Sequence, residues 1–174
     1  MSPRIVLITG PSAAGKSTVA QAVAERLPRS VHLRGDVFRR MIVNGRATFG
    51  ATLDEEAVRQ LELRYDLAVA AALRYLEAGY NVVYQDIIVG PALERVTKDL
   101  GNWPLTVIVL TPSAGELFRR EHERAKTAYG TAAEIDSMLR AFTEETPRIG
   151  TWIDSSHLTV DGTVDAVFGF LGLT

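Results

Sequence analysis

The feature that most constrains this chain is a glycine-rich loop near its amino terminus. Residues 10–17 read Gly-Pro-Ser-Ala-Ala-Gly-Lys-Ser and fit the pattern G-x-x-x-x-G-K-[ST]. The loop follows a short apolar run at 5–9 and opens a helical pattern over 17–27. In a strand–loop–helix of this kind, main-chain amides point into the loop and the helix dipole favours an anion. The sequence therefore predicts a P-loop that binds the phosphates of a nucleotide.

Two side chains of this loop have predicted roles of their own. Lys16 is expected to reach the β- and γ-phosphates, and Ser17 is expected to ligate Mg²⁺. A glycine-rich turn that binds nothing is the alternative, but it would leave the lysine unexplained. The predicted nucleotide contacts are Gly10, Pro11, Ser12, Ala13, Ala14, Gly15, Lys16, Ser17 and Thr18.

Length and composition agree with one compact domain over residues 1–174 and exclude several classes of protein. The chain is 47% hydrophobic and 23% charged, with a formal net charge of −2, so a dedicated nucleic-acid or anionic-membrane binder is not expected. It contains no cysteine and only three histidines, which excludes thiolate chemistry and argues against a zinc site. No apolar run is long enough for a signal peptide or a membrane span, so the cytoplasm is the expected compartment.

Short β-like runs alternate with helical patterns along the chain, which indicates an α/β fold with a parallel sheet. The strands are expected at 5–9, 31–34, 81–85, 105–110 and 152–154. Helices are expected at 17–27, 37–43, 91–100 and 160–171, together with a long helix that ends at Gly79. Three capping-box patterns predict helix starts, at Thr52-Leu53-Asp54-Glu55, Ser113-Ala114-Gly115-Glu116 and Thr131-Ala132-Ala133-Glu134.

Among P-loop proteins, the sequence favours a small kinase. A GTPase would need an N-K-x-D motif, and the nearest text, Thr97-Lys98-Asp99, lacks the asparagine and lies within a predicted helix. A motor or a helicase would need a longer chain. One domain with short helical segments that close over substrates is typical of small P-loop kinases.

The chain resembles the chloramphenicol phosphotransferase-like group of small P-loop kinases and, more distantly, gluconate and shikimate kinases. The resemblance is carried by the P-loop, Arg34-Gly35-Asp36, Tyr84-Gln85-Asp86 and the arginine-rich stretch 119–126. It implies a three-layer P-loop NTPase fold, with a five-stranded parallel sheet of order 2-3-1-4-5 and a helical lid at about 116–131. It also implies ATP-dependent transfer to a hydroxyl of a small molecule, with an antibiotic or another secondary metabolite as a candidate acceptor.

Two aspartates are candidates for the chemistry. Asp36 lies at the carboxyl end of the second strand and is the expected general base for the acceptor hydroxyl, although it would also suit the N-cap of the next helix. Asp86 ends the third strand, which the implied sheet order places beside the first, so it is expected near Ser17 as a metal or acceptor ligand. A turn-capping role is its alternative. Which aspartate acts mainly as base and which mainly as metal ligand is left open.

Four arginines are further candidates. Arg120 and Arg124 lie four residues apart on one helix face and are expected to bring positive charge to the transferred phosphate, although a solvated, salt-bridged helix would explain them equally. Arg39 and Arg40 follow Asp36 by one helical turn. They are expected either to hold an anionic acceptor or to lie at the surface.

Two other functions stay open at this stage. The acceptor could be a nucleoside, a nucleotide or a polynucleotide end, in which case Arg39, Arg40 and Arg46 would hold its phosphate. A regulatory protein that hydrolyses ATP slowly is a third possibility, disfavoured because no further domain is evident. The expected partners are ATP, Mg²⁺ and a small-molecule acceptor, and the chain is expected to be a monomer or a homodimer.

Overall fold

The computed structural model describes residues 2–49, 53–123 and 131–173, which form an α/β fold. The strands are β1 Ile5–Thr9, β2 Ser30–Arg34, β3 Asn81–Gln85, β4 Leu105–Leu110 and β5 Thr151–Ile153. The helices are α1 Lys16–Arg26, α2 Asp36–Arg40, α3 Glu55–Glu77, α4 Pro91–Asp99, α5 Ala114–His122, α6 Ala132–Arg140 and α7 Val160–Leu171. A π-helical turn, Ala141–Glu145, follows α6.

The strands form one parallel sheet of order β2-β3-β1-β4-β5, which confirms the predicted topology. β1 lies in the middle of the sheet, where Ile5 is opposite Val82 of β3 on one side and Leu105 of β4 on the other. All five residues of β1 are buried, as expected for a strand covered on both faces. The carboxyl ends of β1, β2 and β3 therefore meet at one edge of the sheet, which is where the P-loop begins.

Two apolar layers enclose the sheet, so the fold has three layers as predicted. Because side chains alternate along a strand, Val6 and Ile8 face the layer that contains α1 and α7. Ile5 and Leu7 face the opposite layer, which contains α3 and α4.

Most predicted helices are present, with changes at their ends. α3 begins at Glu55 rather than within a capping box opened by Thr52, because the side chain of Asp54 is the N-cap and accepts a hydrogen bond from the amide of Ala57 at 2.7 Å. Thr52 itself lies outside the described residues. The capping box of Thr131 and Glu134 is confirmed.

Several other bounds differ from prediction, those of α1, α4 and β2 by one residue. α2 ends at Arg40, earlier than the predicted 43, and β5 is shifted by one residue to Thr151–Ile153. α5 ends at His122, and the rest of the predicted lid helix, residues 124–130, lies outside the described residues. Within the described ranges, no helix combines the length and the apolar content needed to cross a bilayer.

Candidate active site

The P-loop has a backbone that few side chains would allow. Gly10 has a φ of 147°, and a Cβ at this position would lie 2.3 Å from the carbonyl oxygen of Leu110. Gly15 and Ala13 also have positive φ values, of 89° and 62°. Left-handed conformations at a non-glycine residue are uncommon and concentrate at functional loops. The chain thus wraps tightly between β1 and α1, as a phosphate-binding loop requires.

Lys16 points back into the loop that it follows. Its Nζ atom donates hydrogen bonds to the carbonyl oxygens of Gly10 at 2.9 Å and Pro11 at 2.6 Å. The lysine is buried, and its ammonium group lies against the main chain of the loop.

One cavity joins the loop to three other predicted site residues, Asp36, Asp86 and Arg120. It has a volume of about 460 Å³ and opens at the carboxyl edge of the sheet. Because β1, β2 and β3 all end at this edge, side chains far apart in sequence share its wall. The residues that line it are Ser12, Ala13, Gly15, Lys16, Ser17, Thr18, Arg34, Asp36, Arg64, Gln85, Asp86, Ile87, Arg120 and Glu123.

Asp36 faces this cavity and does not cap its helix. α2 starts at Asp36 itself, its N-cap is Gly35, and no side chain caps it. The carboxylate is instead bound by Arg40, whose Nη2 atom lies 2.5 Å from Oδ2, with Arg34 at 3.8 Å from Oδ1. The Asp36 side chain keeps 37% of its surface exposed, while its Oδ1 atom is buried and accepts no hydrogen bond from the residues that the structure describes.

Asp86 lies in the same wall but is deeply buried and fully engaged. Its side chain has no exposed surface and forms an ion pair with Arg64 of α3. The Nε atom of Arg64 donates to Oδ2 at 2.9 Å, the Tyr84 hydroxyl donates to Oδ2 at 3.3 Å, and the Ile87 amide donates to Oδ1 at 2.7 Å. Burial raises the pKa of Tyr84, so this hydroxyl stays protonated as a donor.

The backbone at Gly35 lies very close to the buried carboxylate of Asp86. A Cβ on Gly35 would lie 1.9 Å from Oδ2 of Asp86, so only glycine fits beside the carboxylate.

Ser17 contacts a different residue of β3. Its hydroxyl donates a hydrogen bond to Oε1 of Gln85 at 2.8 Å, across 68 positions of sequence. Gln85 is buried, and its position in β3 pairs with Ile8 of β1, just before the loop. The residue directly opposite the Ser17 hydroxyl is thus a neutral amide.

Arg120 connects α5 to the P-loop. Its guanidinium donates to the carbonyl oxygens of Ala14 at 3.3 Å and Ser155 at 2.9 Å. Its Nε atom donates to Glu116 at 2.6 Å. Hydrogen bonds from Arg119 and then Arg120 lower the pKa of Glu116 to about 2, so the acid is ionised and fixes Arg120 in place. Arg124, the other predicted lid arginine, lies outside the described residues.

The two arginines that follow Asp36 have internal partners. Arg40 binds Asp36, whereas Arg39 donates to the carbonyl oxygen of Ala47 and lies over the ring of Phe49, 3.9 Å from its centroid. Burial and the nearby charge of Arg46 lower the pKa of Arg39. Arg39 thus holds the segment that contains Ala47 and Phe49 against α2.

A second, apolar groove lies between α2 and α3. Its volume is about 230 Å³, and Arg64 lines both this groove and the larger cavity. The two spaces therefore meet at one side chain. The groove is lined by Phe38, Arg39, Met41, Ile42, Gln60, Leu63, Arg64 and Leu67.

The residues around the loop fit a magnesium ion that arrives with a nucleotide. Within residues 2–49, 53–123 and 131–173, no group of three His, Cys, Asp or Glu side chains could hold a metal ion by itself. Mg²⁺ usually keeps several waters and takes its remaining ligands from one or two protein groups and substrate phosphates. The oriented hydroxyl of Ser17 beside the phosphate cradle provides that kind of donor.

Sequence reasoning gave no role to two residues of this site. In the sequence, Arg64 is an ordinary position of a long helix, and its pairing with Asp86 depends on how α3 crosses the sheet. Gln85 belonged to a recognised tripeptide, but only the aspartate beside it was given a role. A long polar side chain at a buried strand end was the signal that could have identified it.

Comparison with known proteins agrees with this geometry. A family model described as an AAA domain, AAA_33, matches residues 5–145. A shikimate kinase from Streptomyces coelicolor is 34% identical over 112 residues, which cover 55% of this chain and 65% of that protein. The match thus spans slightly less than two thirds of that curated relative.

Solved structures show the same fold over nearly the whole chain. The tunicamycin resistance protein of Deinococcus radiodurans aligns with a TM-score of 0.72 and 18% identity, over 99% of this chain and 97% of that one. A gluconokinase from Sinorhizobium meliloti 1021 aligns with a TM-score of 0.68 and 17% identity, over 98% and 93%. The chain belongs to the AAA_33 family of P-loop kinases, which confirms the resemblance predicted from its sequence.

Proposed function

We propose that this protein is an ATP- and Mg²⁺-dependent kinase that phosphorylates a hydroxyl group of a small molecule. The observation that carries the proposal is the shared cavity, which is lined by the P-loop lysine Lys16, by Asp36 and by Arg120 of the predicted lid. Phosphoryl transfer depends mainly on positioning and on neutralising charge around the transferred group. Lys16, Asp36 and Arg120 supply those functions.

The nucleotide would occupy the P-loop end of the cavity. Loop amides would bind the phosphates, and Lys16 would exchange its bonds to the carbonyl oxygens of Gly10 and Pro11 for the β- and γ-phosphates. Ser17 would hold Mg²⁺, which supplies neutralisation of phosphate charge when bound. Asp86 was predicted as a second metal or acceptor ligand, and in that role it would have to act while paired with Arg64.

Asp36 would act at the acceptor end. As the acceptor oxygen attacks the γ-phosphorus, its proton passes to the Asp36 carboxylate, the bond from phosphorus to the β–γ bridging oxygen breaks, and ADP leaves. Arg40 orients the carboxylate before the reaction. Arg120 is close enough to the loop to neutralise charge on the transferred group, in the role proposed for the lid with Arg124.

The apolar groove supports a small organic acceptor. It adjoins the cavity at Arg64, so an acceptor whose carbon skeleton lies between α2 and α3 would bring a hydroxyl toward Asp36. The relatives named for shikimate, gluconate and tunicamycin make alcohols of primary and secondary metabolism the first compounds to screen.

A nucleotide acceptor has less support. It would need arginines that can bind a second phosphate, and of the three candidates Arg46 is exposed, but Arg40 is paired with Asp36 and Arg39 is bound to Ala47 and Phe49. Both would have to give up internal contacts.

The test is a screen of hydroxyl compounds with labelled ATP, in which antibiotics, sugars, sugar acids, nucleosides and nucleotides are separate groups. We expect a phosphorylated product in one of the first three groups, and no product with Lys16→Ala or Asp36→Asn. ATP binding should survive in Asp36→Asn. Normal turnover by Asp36→Asn would remove the base assignment, and a nucleotide as the best acceptor would replace the small-alcohol proposal.

A further inference from the structure

The Ser17 hydroxyl and Gln85 form a contact that the proposed function does not yet use. We infer that Gln85 is the residue that positions Ser17 for the metal ion, and that Asp86 does not perform this task. The inference rests on the proposed function, because it assumes that a metal–nucleotide complex binds at the P-loop.

The direction of the hydrogen bond carries the argument. A serine hydroxyl has one proton to donate and two lone pairs. Since Oε1 of Gln85 accepts that proton at 2.8 Å, the lone pairs of Ser17 Oγ are directed away from Gln85 and are available to a cation. A partner that orients a ligand in this way commonly strengthens metal binding without touching the metal.

Asp86 has no oxygen left for the same task. Oδ1 accepts from the Ile87 amide and pairs with Nη2 of Arg64, whereas Oδ2 accepts from Nε of Arg64 and from the Tyr84 hydroxyl. The side chain has no exposed surface. Moving the carboxylate toward Ser17 would leave Arg64 as a buried charge without its counterion, which is strongly unfavourable.

The backbone also fixes Gln85 in place. The residue lies at the end of β3 between β1 and β2, opposite Ile8 and Arg34. Its carbonyl oxygen accepts a hydrogen bond from the amide of Gly35 at 3.0 Å, which joins the strand ends on which Ser17 and Asp36 depend. The side chain is therefore held on a rigid element beside the loop, as precise positioning requires.

A neutral partner has a chemical consequence. With an amide opposite Ser17 and the neighbouring carboxylate neutralised by Arg64, the protein offers little negative charge to a free cation at this point. Metal binding should therefore depend on the nucleotide phosphates, so the structure favours entry of the metal as the Mg²⁺–ATP complex.

The test compares ATP affinity with and without Mg²⁺ by calorimetry, using the wild type, Gln85→Leu, Ser17→Ala and the double variant. We expect Gln85→Leu to keep the affinity measured in EDTA and to weaken binding of Mg²⁺ to the ATP complex about tenfold or more. Because Gln85 acts through Ser17, the double variant should lose no more than Ser17→Ala alone. Gln85→Glu keeps an acceptor oxygen, so Mg²⁺ should still increase the ATP affinity of this variant.

The controls separate the possible failures. Gln21→Leu, on the outer face of α1 and bound to Glu25, should leave both affinities unchanged. If Gln85→Leu kept the full increase in ATP affinity that Mg²⁺ causes, or if the losses in the double variant were additive, the role of Gln85 would be overturned. The proposed function would be unaffected by either result. If Gln85→Leu did not fold, loss of the gain in Gln85→Glu would overturn it in the same way. A wild type that binds no ATP would overturn this inference and the proposed function together.

Discussion

The guanidinium of Arg120 donates a hydrogen bond to the carbonyl oxygen of Ala14 at 3.3 Å, although 106 positions separate the two residues. A second bond, to the carbonyl oxygen of Ser155, ties the same side chain to the segment that follows β5. A cation from α5 thus lies against the P-loop. Because these bonds hold the guanidinium in place beside the loop, Arg120 is a fixed charge, the kind that is most effective in catalysis.

Replacement of Arg120 should mainly slow transfer. Arg120→Ala removes a positive charge beside the expected path of the phosphoryl group, so kcat should fall about 10²-fold while the fold is retained. Steady-state kinetics with Mg²⁺–ATP measures this. Arg74→Ala, which removes an exposed arginine paired with Glu77, is the control and should change kcat little. An Arg120→Ala enzyme with normal kcat would show that the lid charge lies elsewhere.

Gly35→Ala should destabilise the protein through one contact. The added Cβ would meet Oδ2 of the buried Asp86 carboxylate at 1.9 Å, and the φ of Gly35, −60°, adds no strain of its own. We expect a loss of about 1–3 kcal/mol in the free energy of unfolding, measured by chemical denaturation. Gly115→Ala in α5, where a Cβ meets nothing within 4 Å, should be neutral or stabilising. Equal effects of the two substitutions would contradict this view of Gly35.

Arg64→Met should lower the free energy of unfolding more than substitution of an exposed arginine does. It leaves the buried carboxylate of Asp86 without its counterion, which costs about 3–5 kcal/mol in comparable cases. Adding Asp86→Leu should recover much of that stability, because the uncompensated charge is then gone. Thermal and denaturant unfolding of the single and double variants measure the recovery. No recovery in the double variant would mean that packing of α3, rather than charge, accounts for the loss.

The ion pair between Glu116 and Arg120 should weaken at acidic pH. Because the pKa of Glu116 is lowered from 4.5 to about 2 in the folded protein, its contribution to stability is present above pH 4.5 and is lost as the pH falls toward 2. The wild type should therefore lose more of its Tm than Glu116→Gln across that interval. Parallel Tm curves for the two proteins would contradict the assigned ion pairs.

The fold was predictable because its signals are local or repeat along the chain. The loop at 10–17 fixes a strand before it and a helix after it, and apolar strands that alternate with helices require a parallel sheet. The end of α3 was also visible, since Gly79 has a φ of 85° after the last helical turn. The predicted start of α3 was wrong because Asp54 competes with Thr52 as the N-cap, and sequence alone does not rank two capping residues only two positions apart.

The pairings within the site were not predictable in the same way. Asp36 and Arg120 could be expected to face the cavity from their positions after β2 and β4. The partner of Asp86 could not, because Arg64 reaches it only through the angle at which α3 crosses the sheet. Ser17 contacts Gln85 and not Asp86. Neighbouring residues at the end of β3 point in opposite directions, so a shift of one residue in strand register would change which side chain faces the loop.

Calorimetric titration of the folded protein with ATP, in the presence and absence of Mg²⁺, tests the central claim most directly. The P-loop geometry predicts one nucleotide per chain, tighter binding with the metal, and a loss of about 10–100-fold in affinity for Lys16→Ala. No heat of binding from properly folded wild type under either condition would contradict the account.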